Sequence, residues 1–589
     1  MHRVATLALL ISYLGIMSRS HSQSVEHSIV AKSGDAFGSL PIGTSLTGLF
    51  DATVLNGSGD CLFLARLGGQ SVTSANNAVF LAGPVGQLEV LARRGDQAPG
   101  LRVGARLNFD YFAWTPVLTD SGTVVFSSPI ANLGGDPAED SAIYSGNPEA
   151  LTAIAYSGAW APTYWDHYFD TLSYPNANSI GEAAFKGKVV PPGEPGSYRE
   201  GLYVGQPGRY RAALTTEDVA PHLPNYLVNY ISTDTSIDRF GRVAFTVGLR
   251  GDDVNYINSQ ALYFGWPDQL SLVMRSGVTQ VPGMPLGTVW FPITNAELND
   301  FGTIAFTGFA RSADVSVYQD QGIWVGQFGS LQLIAREGSA AEGLPIGWTL
   351  GSSSVSNYPF NGPVLDNSGN VYFGAPASAA GDPESVAGPW LFVASAQASA
   401  PPRLILGGIK QPVNMGTGAY VASAQLIACN DNGMVLAYAT FAGHRIGDSN
   451  NSGLVVAHRS GWSIVVAHRA ELFTVPPGAT HHIEDIHIET FQGPGQGGEV
   501  GGHDGRPRVF NNSGHVVFVA DFDDGTSAVV RSQVFCPADF NQDALTDFFD
   551  YLDFVTAFAA SAPSADFNRD FIVDFFDYLD FVASFSEGC

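Results

Sequence analysis

One short pattern, repeated eight times, constrains the fold of this chain more than any other feature. An Asn, Asp or Thr is followed three residues later by Gly, and then by a short apolar run that usually closes on Phe, as in NDFGTIAF from Asn299. The glycines are Gly59, Gly122, Gly181, Gly241, Gly302, Gly369, Gly433 and Gly514, at intervals of 63, 59, 60, 61, 67, 64 and 81 residues. A near-constant period of this size marks a solenoid or a propeller. Asn or Asp with a nearby Gly makes a tight turn, because both tolerate positive φ. The residues that follow are strand formers of strand length.

The rest of each unit reads the same way. After the apolar run come a second strand (AIYSG, GLYVG, ALYFG, GIWVG) and a third (LEVLARRG, LSLVMRSG, LQLIAREG). A Gly/Pro-rich crossover follows, then a fourth short strand that leads into the next turn. Four short strands per unit is a propeller blade. The chain's 67 Gly and 34 Pro suit short strands joined by turns.

The ends set the count. Residues 28–43 match the third strand and crossover of a unit, whereas the last unit stops near Ala528–Arg531, before its third strand. Ser28–Lys32 therefore completes the last sheet, which gives eight closed blades without free edges. A row of separate β units, or two smaller propellers, is the alternative. The 81-residue interval marks an insertion in the last unit.

At the N-terminus a basic start (MHR), an apolar run from Val4 to Met17 and a small-residue exit ending at Ser22 have the layout of a secretory signal peptide. The run is shorter than the ~20 residues of a spanning helix; an uncleaved anchor is the alternative. The expectation is a secreted or cell-surface chain with no transmembrane segment after cleavage. With 55 acidic and 28 basic residues the net charge is −27, which disfavours nucleic acid as a partner.

The last segment is a tandem duplication: ADFNQDALTDFFDYLDFV from Ala538 recurs from Ala565, 27 residues on. Each copy puts oxygen side chains at loop positions 1, 3, 5, 9 and 12: Asp539, Asn541, Asp543, Asp547 and Asp550, then Asp566, Asn568, Asp570, Asp574 and Asp577. Leu545 and Ile572 would each add a backbone carbonyl. Six to eight oxygens wrapped by one loop suit calcium, so two calcium ions are expected. A solvated acidic helix pair that binds no metal is the alternative. Cys536 and Cys589 flank the segment, whose two halves should bring them together as a disulfide. Cys61 and Cys429 are far apart in sequence and either can serve as a small buried hydrophobe.

This segment resembles a dockerin, and more narrowly the dockerin-type segment ending in Gly-Cys of planctomycete-like secreted proteins. The upstream repeat resembles the NxxGxxxAF tandem-repeat proteins that carry interchangeable C-terminal anchors. The departures are Thr119 and Ala437 in the repeat, and Ala544 and Phe571 where such loops usually have Gly. The resemblance implies docking to a cohesin-like or cell-envelope protein, with polysaccharide as a further partner.

Other constellations carry less. His481, His482, Glu484, Asp485, His487 and Glu489 cluster in the last interval. On a strand His481, Asp485 and His487 would share one face, and imidazole and carboxylate suit a zinc or copper ion; polar residues in an exposed insertion is the reading preferred. The neighbouring GPGQGGEVGGHDG reads as flexible loop. Arg94-Gly95-Asp96 falls on a repeat loop. Trp160, Tyr164, Trp165 and Tyr168 lie in one crossover and suit either sugar stacking or loop packing. No GxSxG or HExxH motif is present.

The expected architecture is mainly β: a signal peptide (1–22), an eight-bladed β-propeller closed by the N-terminal strand (23–534) and a small α-helical dockerin-like calcium module (535–589). The expected function is non-enzymatic binding or structure at the cell surface. The alternative is a polysaccharide hydrolase or lyase on the propeller.

Overall fold

Each Asn/Asp-x-x-Gly signal folds as a tight turn joining the first two main strands of an antiparallel sheet. The structure is a computed structural model that describes residues 25–109, 116–134, 140–162, 166–193, 196–316, 319–351, 360–379, 386–396, 400–408, 413, 415, 418–476, 478–488, 505–536, 538–541, 546–567 and 572–587. The expected signal peptide lies outside the described residues. All eight turn glycines have φ between 76° and 83°, a region that residues with a Cβ enter at a cost. In the turn from Asn299, the side-chain Oδ1 accepts the N–H groups of Phe301 (3.0 Å) and Thr303 (2.9 Å). This local acceptor is why Asn or Asp leads the motif.

The described strands of residues 27–534 form eight antiparallel sheets, one per repeat. Blades 1 to 7 cover 44–93, 106–156, 168–215, 227–275, 289–336, 348–406 and 419–468. Blade 8 takes its strands from 472–534 and adds Val25–Lys32 as its outermost strand, beside Ser527–Val534. Ser33 N–H donates to the Ser527 carbonyl at 2.9 Å, and His27 Nδ1 bonds Ser532 Oγ at 2.7 Å. The N-terminal strand therefore closes an eight-bladed propeller, and this disposes of separate β units or two smaller rings.

The first strands of successive blades pack on one another and so line the axis. They are bulged, as between Leu46 and Phe50, and in blades 2 and 6 each is split into two pieces. The core lies between neighbouring blades. Leu62, Leu64 and Phe80 of blade 1, for example, meet Phe109, Leu118 and Phe126 of blade 2. The closing Phe of the repeat pairs in register with an aromatic on the next strand: Phe126 with Tyr144, Phe185 with Tyr203, Phe306 with Trp324 and Phe373 with Phe392. All are fully buried. Truncating one such Phe costs ~3–5 kcal/mol.

The turns also bond one another around the ring. The side chains of Asp120, Asp300, Asn367, Asp431 and Asn512 each accept the backbone N–H at the matching position one blade earlier, at 2.7–3.1 Å. Asn511 Nδ2 carries the belt from blade 8 to the Asn56 carbonyl of blade 1 at 2.9 Å.

Residues 535–589 belong to a second compact unit. Two helices, α1 (Phe548–Ala559) and α2 (Phe575–Glu587), repeat each other at the 27-residue shift. Phe554 and its counterpart Phe581 stack with centroids 3.9 Å apart and planes 4° off parallel, and Phe540 and Phe567 abut both rings edge-on. Tyr551 and Tyr578 hydroxyls meet at 3.1 Å. Among the described residues no helix is long and apolar enough to cross a membrane.

Candidate functional site

In the acidic module the sequence duplication becomes a duplicated geometry. Asp547 Oδ1 accepts the Phe549 N–H at 2.8 Å and Asp550 accepts the Asp547 N–H at 2.8 Å, a capping box at the start of α1. Asp574, Phe576 and Asp577 repeat it for α2 at 2.8 and 2.7 Å. Asp550 also accepts the Asn541 N–H at 3.0 Å, which folds the first loop back onto its helix. Asp539, Asp550 and Asp577 are buried; a carboxylate taken out of water needs a counter-charge or several donors. The module holds eleven acidic residues and one basic residue, Arg569. Asp550 and Asp577 meet that need in part with backbone N–H donors, and among the described residues of the module no three carboxylates are grouped as metal ligands. Asp543, Leu545, Asn568 and Asp570 lie outside the described residues, as does Cys589. Cys61 and Cys429 are free and buried.

Each helix also exposes the same apolar residues. Phe548 and Phe549 are 64% and 63% exposed, Phe575 and Phe576 63% and 64%, and Leu552 and Leu579 sit one turn further on, 43% and 44% exposed. A module with a well-packed aromatic core leaves these six uncovered on its own surface.

The histidine cluster does not converge. His481–His487 is the end of strand Ala479–His487, but a bulge between Ile483 and Asp485 reverses the alternation, so that Ile483 and Ile486 are both buried. The single-face expectation fails for that reason. His481 lies 3.5 Å from both Asp523 and Asp524, while His487 bonds Asp521 at 2.9 Å with Asp485 at 4.0 Å. The Asp521 bond holds the His487 ring above its ordinary pKa and the Asp521 carboxyl below its own. Among the described residues no three His, Cys, Asp or Glu side chains could hold a metal ion. Glu489, Tyr164 and Trp165 lie outside the described residues; Trp160 is exposed. Arg94-Gly95-Asp96 is a turn, with Asp96 paired to Arg93 at 2.9 Å.

The centre of the ring holds what the sequence reading missed. Gly505–Val509, the end of the blade 8 insertion, is not exposed loop. Its Gly505 carbonyl accepts the Ala177 N–H of blade 3 at 2.8 Å, and the Arg508 carbonyl accepts the Leu55 N–H of blade 1 at 2.7 Å. Arg506 pairs with Glu297 of blade 5, and Arg508 with Asp120 of blade 2. A Cβ on Gly505 would strike Ile237 of blade 4 at 2.3 Å. One pentapeptide that reaches blades 1 to 5 from blade 8 lies on the axis. It plugs the ring at the level of the turns, and it neutralises two carboxylates there.

Several solved structures are similar to the chain at low identity. The β-propeller domain of the Trilobed protease from Pyrococcus furiosus is 9% identical, over 72% of this chain and 98% of that one, with a TM-score of 0.35. An oligogalacturonate lyase in complex with manganese is 10% identical, over 82% and 96%, with a TM-score of 0.35. The Dos1 propeller is 9% identical, over 86% and 93%, with a TM-score of 0.36. No curated protein matches the chain. A family described as a family of unknown function, DUF7453, matches residues 15–342 and 279–537, which together span the whole propeller. The chain belongs to this family.

Proposed function

We propose that this is a secreted or cell-surface, non-enzymatic binding protein: a propeller displayed through a calcium-dependent, dockerin-like module. The observation that carries the reading is the module's doubled apolar face, Phe548, Phe549 and Leu552 with Phe575, Phe576 and Leu579, beside doubled acidic loops. Exposed aromatics of this density mark a protein-docking surface. The partner is a cohesin-like or cell-envelope protein. Calcium, held by Asp539, Asn541, Asp543, Asp547 and Asp550 and by their counterparts Asp566, Asn568, Asp570, Asp574 and Asp577, with the Leu545 and Ile572 carbonyls, supplies the positive charge that lets each loop close. The Cys536–Cys589 disulfide clamps the ends. On the propeller, Glu297 and Asp120 are each engaged by an arginine, which favours binding over carboxylate catalysis at that end of the axis. The test is fractionation of source cells. The chain should sediment with the envelope and be released by a calcium chelator, and a variant carrying Phe548→Ser, Phe549→Ser, Phe575→Ser and Phe576→Ser should stay soluble. Wild-type protein that stays soluble in calcium ends the reading.

A further inference from the structure

Blades 3 to 5 break the repeat's own rule at one end of the ring. The residue before the turn glycine is Ser58, Ser121, Ser368, Asn432 or Ser513 in blades 1, 2, 6, 7 and 8, but Ile180, Phe240 and Phe301 in the three consecutive blades between. Phe240 is 54% exposed and Phe301 57%, so neither is there to fill a core.

The residue one place earlier departs as well. Five turns use an Asp or Asn at this place to accept the N–H of the preceding blade. Blade 4 has Arg239, which cannot accept. Its exposed guanidinium instead lies over the Phe240 ring at 4.7 Å and the Phe301 ring at 5.8 Å. Among the described residues it has no carboxylate partner. Nearby, the Arg242 guanidinium sits over Phe240 at 5.4 Å and Trp266 at 5.9 Å, its charge already met by Asp238 at 2.5 Å. Residues that forgo a structural bond with no packing gain mark functional positions.

We propose that this arc is a binding site for an acidic polysaccharide, one bearing carboxylate or sulfate groups. The rings of Phe240, Phe301 and Trp266 offer apolar faces on which pyranose C–H faces stack. Arg239, with no carboxylate partner among the described residues, is a fork for the anion between two of them. Successive turns set these groups along a curve around the axis, a layout that suits a linear polymer touching each blade briefly. The chain's distant carboxylates act weakly here at physiological salt, where charges beyond ~8 Å are largely screened, and the near ones are engaged, Asp238 by the Arg242 guanidinium and Asp300 by the Arg239 N–H. The inference is independent of the module, which plays no part in it.

The test is affinity electrophoresis of the full mature chain at ~0.15 M salt, in gels containing polygalacturonate, a sulfated glycan, neutral dextran or poly-glutamate. Retardation by at least one acidic glycan and not by dextran is expected. Arg239→Ala or Phe301→Ala should weaken it at least tenfold, and Arg239→Lys should recover part of it. Both side chains are exposed, so an unchanged melting curve checks the fold. Three results overturn the proposal: no retardation by either acidic glycan; retardation untouched by Arg239→Ala and Phe301→Ala; or equal retardation by poly-glutamate lost in the same variants, which makes the arc a protein-docking surface.

Discussion

Arg506 and Glu297 stand 209 residues apart in the chain and form a buried ion pair at the centre of the ring, with side chains only 7% and 3% exposed. Removing one member of such a pair leaves an uncompensated charge in a poorly solvated place and costs ~3–5 kcal/mol, whereas an apolar or neutral replacement of both is often close to neutral. Arg506→Ala should therefore lower the urea midpoint of the mature chain clearly. Arg506→Met combined with Glu297→Gln should restore most of it. An unchanged midpoint for Arg506→Ala would show that the plug rests in the ring without holding it.

The closure of the ring is acid-sensitive at His27. This ring packs on Phe473 with centroids 5.1 Å apart and bonds Ser532, and burial pushes its pKa down to about 4. The folded pKa lies below the ordinary 6.5, so the unfolded chain takes up the proton first as pH falls. The stability tied to neutral His27 is thus present above pH 6.5 and is lost as pH drops towards 4. Burial lowers His458 and His515 to about 4 as well. Global stability should fall over this window, and His27→Gln should remove one of three contributions. Hydrogen exchange of Val25–Lys32 reads the closure directly; equal protection at pH 7 and pH 5 would contradict it. Deleting Val25–Lys32 bares the edge strand Ser527–Val534 and should lower the melting temperature and promote aggregation.

The blade count and the closure were legible because they rest on local chemistry. Gly302 needs positive φ, Asn299 supplies the acceptor for its own turn, and Phe306 follows at strand spacing. The plug, Gly505–Val509, was not legible, because nothing local in GRPRV says that Arg506 will meet Glu297; the GPGQGGEVGGHDG stretch before it, apart from Gly505, lies outside the described residues. The His481–His487 segment reads in sequence as polar residues of an exposed insertion; that it is a strand, and a bulged one, is set by pairing with Asp521 and Phe522. The arc at Arg239 was visible in principle, as a run of three departures from the repeat's Ser.

Cys536 should pair with Cys589. A bridge between them closes a loop that holds the whole duplicated segment, worth about 4 kcal/mol in the chain-entropy model. A non-reduced proteolytic digest should link the two cysteine peptides, and Cys589→Ser should lower the module's melting point without moving that of the propeller. Free Cys589 in the unreduced protein would sink the pairing.

Calcium should control the module's folding. Each loop carries four Asp and one Asn at the proposed ligand positions, and in a unit with one basic residue these charges should repel when no cation is present. Without calcium, α1 and α2 should fray from their acidic ends, where Asp550 and Asp577 are buried. Binding only to the folded form adds about 2.7 kcal/mol when calcium is a hundredfold above its dissociation constant. Magnesium should substitute poorly, because it demands a smaller octahedron. The first loop should bind more tightly than the second: a sharp bend at position 6 favours Gly, and Ala544 reaches it at less cost than Phe571. Calorimetry and circular dichroism on 535–589, with and without chelator, measure both steps. Asp543→Asn should weaken the tighter site and Asp570→Asn the weaker one. If calcium gives no heat and no gain in helix, the loops bind no metal, and the doubled apolar face would have to be presented by packing of the Phe554–Phe581 core alone.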